Sequence, residues 1–456
     1  MHDLRRQALE SGKTVSRKAQ SRQSSRASSR GPSATHSRVA SSTGSRAGSD
    51  EEEGNLSDET SFSIIIDEIP NIEDADTPTD VWKSELADKI GEILDRKRSS
   101  NMGREASLGA YTRILTSRYA EEDIQGRETE LVTAFLKSIK TEVSEAESVL
   151  AMKALTMTLI TSPSEVIYDS ASPLLKRTIT DSSSIAVKTA AIHTLGTCTF
   201  YGGASEEEIL ENMAFFLEIV SSDGHYISAG DEADPATAAL EEWGFLATLV
   251  EDLSEESEEA IETFIEQLSS GDLAVQIAAG ENIALLYEKS YTPPEDNEIL
   301  SDSDEDFTGS DQEDGPPGPK YIKRYAAYRR TDQLMHTLSS LANLSSRGMS
   351  KKDKKSLHVN FADILNSVEY PTRGPRYQNA INQETGQRYG SRMAVKIRGE
   401  GVMRIDKWWK LMRLKGLRRI LQGGFVGHYE RNGVVFETLP IMIETVRGGN
   451  GKKAKN

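Results

Sequence analysis

The residues in this chain best suited to chemistry are cations, and their spacing suits the neutralisation of phosphates. Arg404, Lys407, Lys410 and Arg413 recur every third residue, interleaved with Ile405, Trp408, Trp409 and Met412. On a helix turning by about 100° per residue, the four apolar side chains share roughly a 100° arc and the cations fall opposite. Such a helix docks through its tryptophans and presents a cationic row to a polyanion. Beyond it, Lys415, Arg418 and Arg419 add charge, while Gly416 weakens the helix by about 1 kcal/mol relative to Ala. A second basic stretch, Tyr321-Ile-Lys323-Arg324-Tyr325-Ala-Ala-Tyr328-Arg329-Arg330, alternates aromatics with cations. That pattern suits RNA, whose phosphates pair with the cations and whose bases stack on rings. The competing reading packs the tyrosines on a helical body and leaves the cations in water. Lys351-Lys352-Asp353-Lys354-Lys355 is a further cluster fit for nuclear import or phosphate contact.

Catalytic arrangements are missing from the sequence. It has no Walker-type phosphate loop, no His/Cys metal spacing and no nucleophile elbow. The glycine-rich run Gly423-Gly424-Phe425-Val426-Gly427 follows no strand of a βαβ unit, so it is not a dinucleotide fingerprint. His428 stands alone and reads as a hydrogen-bonded structural residue. The single cysteine, Cys198, lies in an apolar helical pattern and reads as a small core residue in a reducing compartment. The expectation is therefore a protein that is not an enzyme, with no cofactor, no metal and no small-molecule substrate.

The elements that must position these cations follow from how charge is partitioned. Residues 1–49 carry 10 basic and 2 acidic side chains, and residues 320–456 carry 28 and 10, giving +8 and +18. Residues 50–319 carry a net −44, so the overall −18 hides an acidic body between two basic ends. Basic ends of this kind favour a polyanion, which the body between them repels. The Ser/Arg-rich and then acidic 1–80 stretch is read as a disordered tail. Residues 291–319, with 10 acidic and no basic residues and a closing Gly-Pro-Pro-Gly-Pro, are read as an acidic linker. The basic 320–456 region is read as a small helical C-terminal domain. No apolar run is long enough for a membrane span, and a cytoplasmic setting, with nuclear entry besides, is expected.

Between Val81 and Ser290 the apolar residues recur at three- and four-residue steps, the buried stripe of successive helices. Leu150-Ala-Met-Lys-Ala154 is echoed 35 residues later by Ile185-Ala-Val-Lys-Thr189, and again by Leu273-Ala-Val-Gln-Ile277. Each echo is read as opening the second helix of a pair, with first helices over 128–140 and 168–179. The fold class expected is all-α, an armadillo/HEAT-like α-solenoid over 81–290. From Thr189 to Glu288 there are 22 acidic and no basic residues, which predicts a strongly negative face suited to basic protein segments.

Three C-terminal blocks resemble the interferon-related developmental regulator family. They are Phe361-Ala-Asp-Ile364-Leu365-Asn-Ser-Val368-Glu369, Ile405-Asp406-Lys407-Trp408, and Ile420-Leu-Gln-Gly423-Gly424-Phe425-Val-Gly-His428-Tyr-Glu-Arg-Asn432. The resemblance implies a structural motif made of Phe361, Asp406, Trp408, Gly424, Phe425, His428 and Asn432. It also implies an armadillo/HEAT-like N-terminal domain and binding to translationally inactive ribosomes, with the C-terminal segment on ribosomal RNA blocking mRNA and tRNA sites. The other role it implies is transcriptional co-regulation with histone deacetylase complexes. On the first role, Lys407, Lys410, Arg413, Lys415, Arg418, Arg419, Lys323 and Arg324 become the candidate RNA contacts.

Overall fold

A computed structural model describes residues 79–96, 99–294, 307–308, 320–344, 349–381, 388–397, 401–440 and 443–444. The expected 1–80 tail lies outside these residues, apart from the first two positions of the first helix. Six helical pairs stack among the described residues. The first is α1 (Thr79–Leu94) with α2 (Asn101–Ser117), followed by the single turn α3 (Glu121–Ile124). The second and third are α4 (Glu128–Thr141) with α5 (Glu145–Thr161), and α6 (Ile167–Asp181) with α7 (Ile185–Tyr201). The fourth and fifth are α8 (Glu206–Ser221) with α9 (Ala233–Ala247), and α10 (Ser254–Gln267) with α11 (Leu273–Lys289). The sixth is α12 (Thr331–Ala342) with α13 (Lys351–Glu369).

The second helices form one continuous inner layer, α2–α5–α7–α9–α11–α13, each packed on the next. Their sequences explain this. Helices α5, α7, α9 and α11 are apolar on nearly every side, so they are stable only when covered on both faces. The outer helices α4, α6, α8 and α10 carry a single apolar stripe and keep charge on the other side.

Capping hydroxyls and carboxylates set the register. Ser100, Ser144, Ser184 and Asp272 each accept a backbone N–H from the first turn of an inner helix. Measured from those caps, α5 and α7 start 40 residues apart, at Glu145 and Ile185; α9, which has no side-chain cap, and α11 also start 40 apart, at Ala233 and Leu273. The 35-residue echo aligned like residues more than a turn out of register. Ile185 and Leu273 do open their helices, whereas Leu150 lies inside α5.

The stack continues past the acidic 291–319 segment, whose described residues contribute two short strands. β1 (Tyr291–Thr292) and β2 (Phe307–Thr308) both pair antiparallel with β3 (Lys320–Lys323), Tyr291 opposite Lys323 and Phe307 opposite Tyr321. Helix α13 then packs on α11, where Ile364 and Phe361 press against Gly280 so closely that a Cβ there would meet the Ile364 Cδ1 at 2.7 Å. Hairpins β4 (Tyr377–Ile381) with β5 (Arg388–Ser391), and β6 (Ala394–Ile397) with β7 (Gly401–Arg404), lead into α14 (Trp408–Leu421). Two short helices, α15 (Phe425–Arg431) and α16 (Gly433–Thr438), follow before β8 (Ile443–Glu444) returns to pair with β7. No helix among the described residues is long and apolar enough to cross a membrane.

Candidate functional site

The basic helix expected over 404–413 begins later than its periodicity indicates. Residues 401–404 are strand β7, and the Ile405 N–H bonds to the Met393 carbonyl at 2.9 Å, so helical geometry starts only at Trp408. The helix also runs through Gly416 to Leu421, where the lack of a side chain serves packing. A Cβ on Gly416 would sit 3.0 Å from the Phe245 ring of α9.

Helix α14 lies against the inner layer and touches α2, α5, α9 and α11. Its N-terminus is held by Glu288 of α11, whose buried carboxylate accepts the Trp408 and Trp409 N–H groups at 2.9 and 3.1 Å. An anion there complements the helix dipole. Burial nevertheless raises the Glu288 pKa, against the pull of Lys407 and the two N–H groups. The Trp408 indole donates to the Ser367 hydroxyl at 2.7 Å and is buried, and Trp409 packs partly buried against the core.

The cations of α14 do not form an open row. Lys153, His193, Glu241 and Glu281 are each the ninth residue of α5, α7, α9 and α11, which makes a ladder of polar groups across the inner layer. Lys415 pairs with Glu281, and Arg419 with Glu241 at 3.1 Å and with Glu242. Lys153 donates to Gln422 at 3.4 Å. The Glu242 carboxyl group is fully buried and shares a hydrogen bond with the His193 Nδ1 at 2.7 Å. Burial pushes the His193 pKa down to about 3, so its ring is neutral. Burial pushes Glu242 up to about 7, opposed by the Arg419 guanidinium.

Arg413 is spent on structure as well. It donates to the Thr248 hydroxyl and carbonyl at 2.9 and 3.0 Å and to the Thr438 carbonyl at 3.0 Å, and it stacks over Phe200 and Trp409. Arg418 lies over the Phe425 ring, with its pKa lowered to about 10 by burial. Lys410 pairs with Asp406 one turn back, and Lys407 donates to the Thr372 carbonyl at 3.2 Å beside the Tyr321 ring. Of the two candidates before β4, Lys323 is exposed, while Arg324 bonds Thr292 and the Pro293 carbonyl. Sequence reasoning placed Arg404, Lys407, Lys410 and Arg413 on the outer side and gave Lys415, Arg418 and Arg419 no defined face; the carboxylate partners of Lys415 and Arg419 sit in a stretch that reads as uniformly solvated.

The glycine-rich block is a clasp on the other end of the solenoid. Gly424 lies so near the Thr116 carbonyl that a Cβ would come within 1.7 Å of it. The His428 Nε2 donates to the Leu115 carbonyl at 2.8 Å. Asn432 donates to the Ile160 carbonyl at 2.8 Å while its Oδ1 caps α16. Phe425 and Tyr429 are buried behind them. Cys198 is buried in α7 and its pKa is pushed up to about 12, which keeps it a thiol. Among the described residues no group of His, Cys, Asp or Glu is arranged to hold a metal ion.

This architecture meets its counterpart in sequence comparison. The sequence model of the interferon-related developmental regulator family matches residues 40–369. The chain belongs to that family. It is 27% identical over 353 residues to an uncharacterized protein of Schizosaccharomyces pombe, covering 77% of this chain and 73% of that one. It is 24% identical over 407 residues to interferon-related developmental regulator 1 of Sus scrofa, covering 85% and 78%. It is 23% identical over 357 residues to interferon-related developmental regulator 2 of Mus musculus, covering 75% and 70%. The match to the interferon-related developmental regulator model ends where α13 ends, so it takes in all six helical pairs.

Proposed function

We propose that this chain is a non-enzymatic regulator that binds translationally inactive ribosomes. Its basic C-terminal region lies on ribosomal RNA and blocks mRNA and tRNA sites, and the acidic solenoid serves as a protein-binding scaffold. One observation carries the reading. Lys351, Lys352, Lys354 and Lys355 crowd the first turns of α13, where the helix dipole disfavours cations. Three of them, Lys351, Lys352 and Lys355, are exposed, as are Lys323, Arg329 and Arg330 on the same side of the acidic segment in sequence. A polyanion on these residues would offset the unfavourable placement. Arg329 does meet Glu258 at 3.4 Å, but an ion pair this exposed is worth at most about 1 kcal/mol. In this reading α14 braces the platform, and the phosphate contacts fall to the exposed cations. Sedimentation of lysate through sucrose tests it. Wild type should travel with monosomes at low salt and leave them at high salt, because each neutralised phosphate releases counterion. The triple variant K351E/K352E/K355E should stay near the top. Wild type at the top at low salt would sink the reading.

A second reading, a nuclear co-regulator scaffold acting with histone deacetylase complexes, draws on a different surface. Helices α8 and α10 expose Glu207, Glu211, Glu218, Glu255, Glu259, Glu262 and Glu266, which suit basic protein segments. Nuclear enrichment without ribosome association would favour it.

A further inference from the structure

We propose that the β4–β5 hairpin is a contact for single-stranded RNA, with Tyr389 as the stacking ring and Arg392 as its cation. The inference deepens the ribosome reading and rests on it for the source of the RNA. The base of the hairpin is bolted down. The Arg373 guanidinium lies 3.5 Å from the Tyr370 ring centre and 5.0 Å from that of Tyr377, and it donates to Asn366 at 3.1 Å. The Arg373 carbonyl accepts the Ser367 hydroxyl at 2.9 Å, the same hydroxyl that receives the Trp408 indole. The Ser391 hydroxyl donates to the Ile405 carbonyl at 2.8 Å.

Away from that base the side chains turn to solvent. Asn379 and Ala380 are exposed, Ile381 is 60% exposed and Tyr389 is 41% exposed. The pairing shifts register between Gln378 and Ile381, and Gly390 opposite Gln378 takes φ +63°, a left-handed conformation that glycine adopts without strain. Irregularities of this kind re-aim side chains on a strand. The Arg392 guanidinium lies 5.3 Å from the Tyr389 ring centre and is steadied by Gln378 at 3.1 Å. A half-exposed ring, a guanidinium beside it, exposed amide and aliphatic neighbours and a paired ribbon beneath make a platform for an unpaired base and its phosphate. Residues 370–404 carry 7 basic and 2 acidic side chains, so the local charge complements a nucleic acid. A duplex buries its base faces and cannot use such a ring, which favours unpaired RNA over double-stranded.

Fluorescence anisotropy with the full chain and a labelled uridine oligonucleotide of about 15 residues tests this. Tyr389→Ala and Arg392→Ala should each weaken binding by about 5- to 100-fold. Tyr389→Phe should keep near-wild-type affinity, and a duplex of equal length should be indifferent to Tyr389→Ala. Unchanged thermal midpoints would show that the variants fold. Wild type that fails to bind the oligonucleotide, or Tyr389→Ala binding like wild type, overturns the proposal. Ribosome sedimentation run in parallel separates the two ideas. Ribosome-bound wild type with Tyr389-independent oligonucleotide binding removes the hairpin alone. Tyr389-dependent binding by a protein that stays off ribosomes removes the ribosome reading and leaves the hairpin.

Discussion

His193 and Glu242 share a hydrogen bond inside the solenoid, yet they respond to acid in opposite senses. An unfolded imidazole takes a proton near pH 6.5, whereas the folded His193 ring refuses it until about 3. Its contribution to stability is therefore complete above 6.5 and is withdrawn as pH falls through that window. The Glu242 carboxyl protonates near 7 when folded and near 4.5 when exposed. Its contribution is complete below 4.5 and is lost as pH rises towards 7. Between about 4.5 and 6.5 the two oppose each other, and the wild-type stability curve is flattened there. Replacing His193 by Asn removes one side of the balance. The variant should gain stability relative to wild type on going from about pH 7 to about pH 5, read as the difference in urea midpoints. A difference that does not move with pH would mean that the imidazole titrates normally.

At the scale of elements, α14 behaves as a keystone. Its apolar residues Trp408, Leu411, Leu414, Leu417 and Leu421 are buried against the inner layer. Trp408→Ala should cost about 3–5 kcal/mol, and Gly416→Val, pressed on the Phe245 ring, about 1–3 kcal/mol. Both are measurable by denaturant unfolding, and a neutral Gly416→Val would show that α14 rides loosely on α9. The helical pairs were legible in the sequence because apolar period and chain length fix a helix locally. The first helices over 128–140 and 168–179 were placed to within two residues of α4 and α6 for the same reason. Leu150 was misplaced as the opening of its helix because the inner helices resemble one another at several offsets, and only the caps Ser144 and Ser184 fix the true one. The inward turn of Lys415 and Arg419 was illegible. It depends on Glu281, Glu241 and Glu242 sitting at matching positions of helices far away in sequence.

Over the whole molecule, charge composition marks a boundary at 291–319 that packing does not respect. Helix α13 packs on α11, and α14 to α16 reach back to α2 and α5, so the chain on either side of that segment forms one core. A protease site engineered into 309–319 should give two fragments that still co-elute on size exclusion, and that separate only in denaturant. Fragments that part on cleavage would show that the acidic segment tethers independent domains. The clasp at Gly424, His428 and Asn432 also has a meaning in time. The His428 contact with Leu115 joins residues 313 positions apart. At the usual pace of synthesis, roughly 15 to 60 seconds separate the emergence of these two partners from the ribosome. Through that interval α5 and α9 pack on their own neighbours and lack only the cover that α14 later gives them. The seam between α14 and the inner layer is therefore the last part of the solenoid to close, although it reaches helices made among the first.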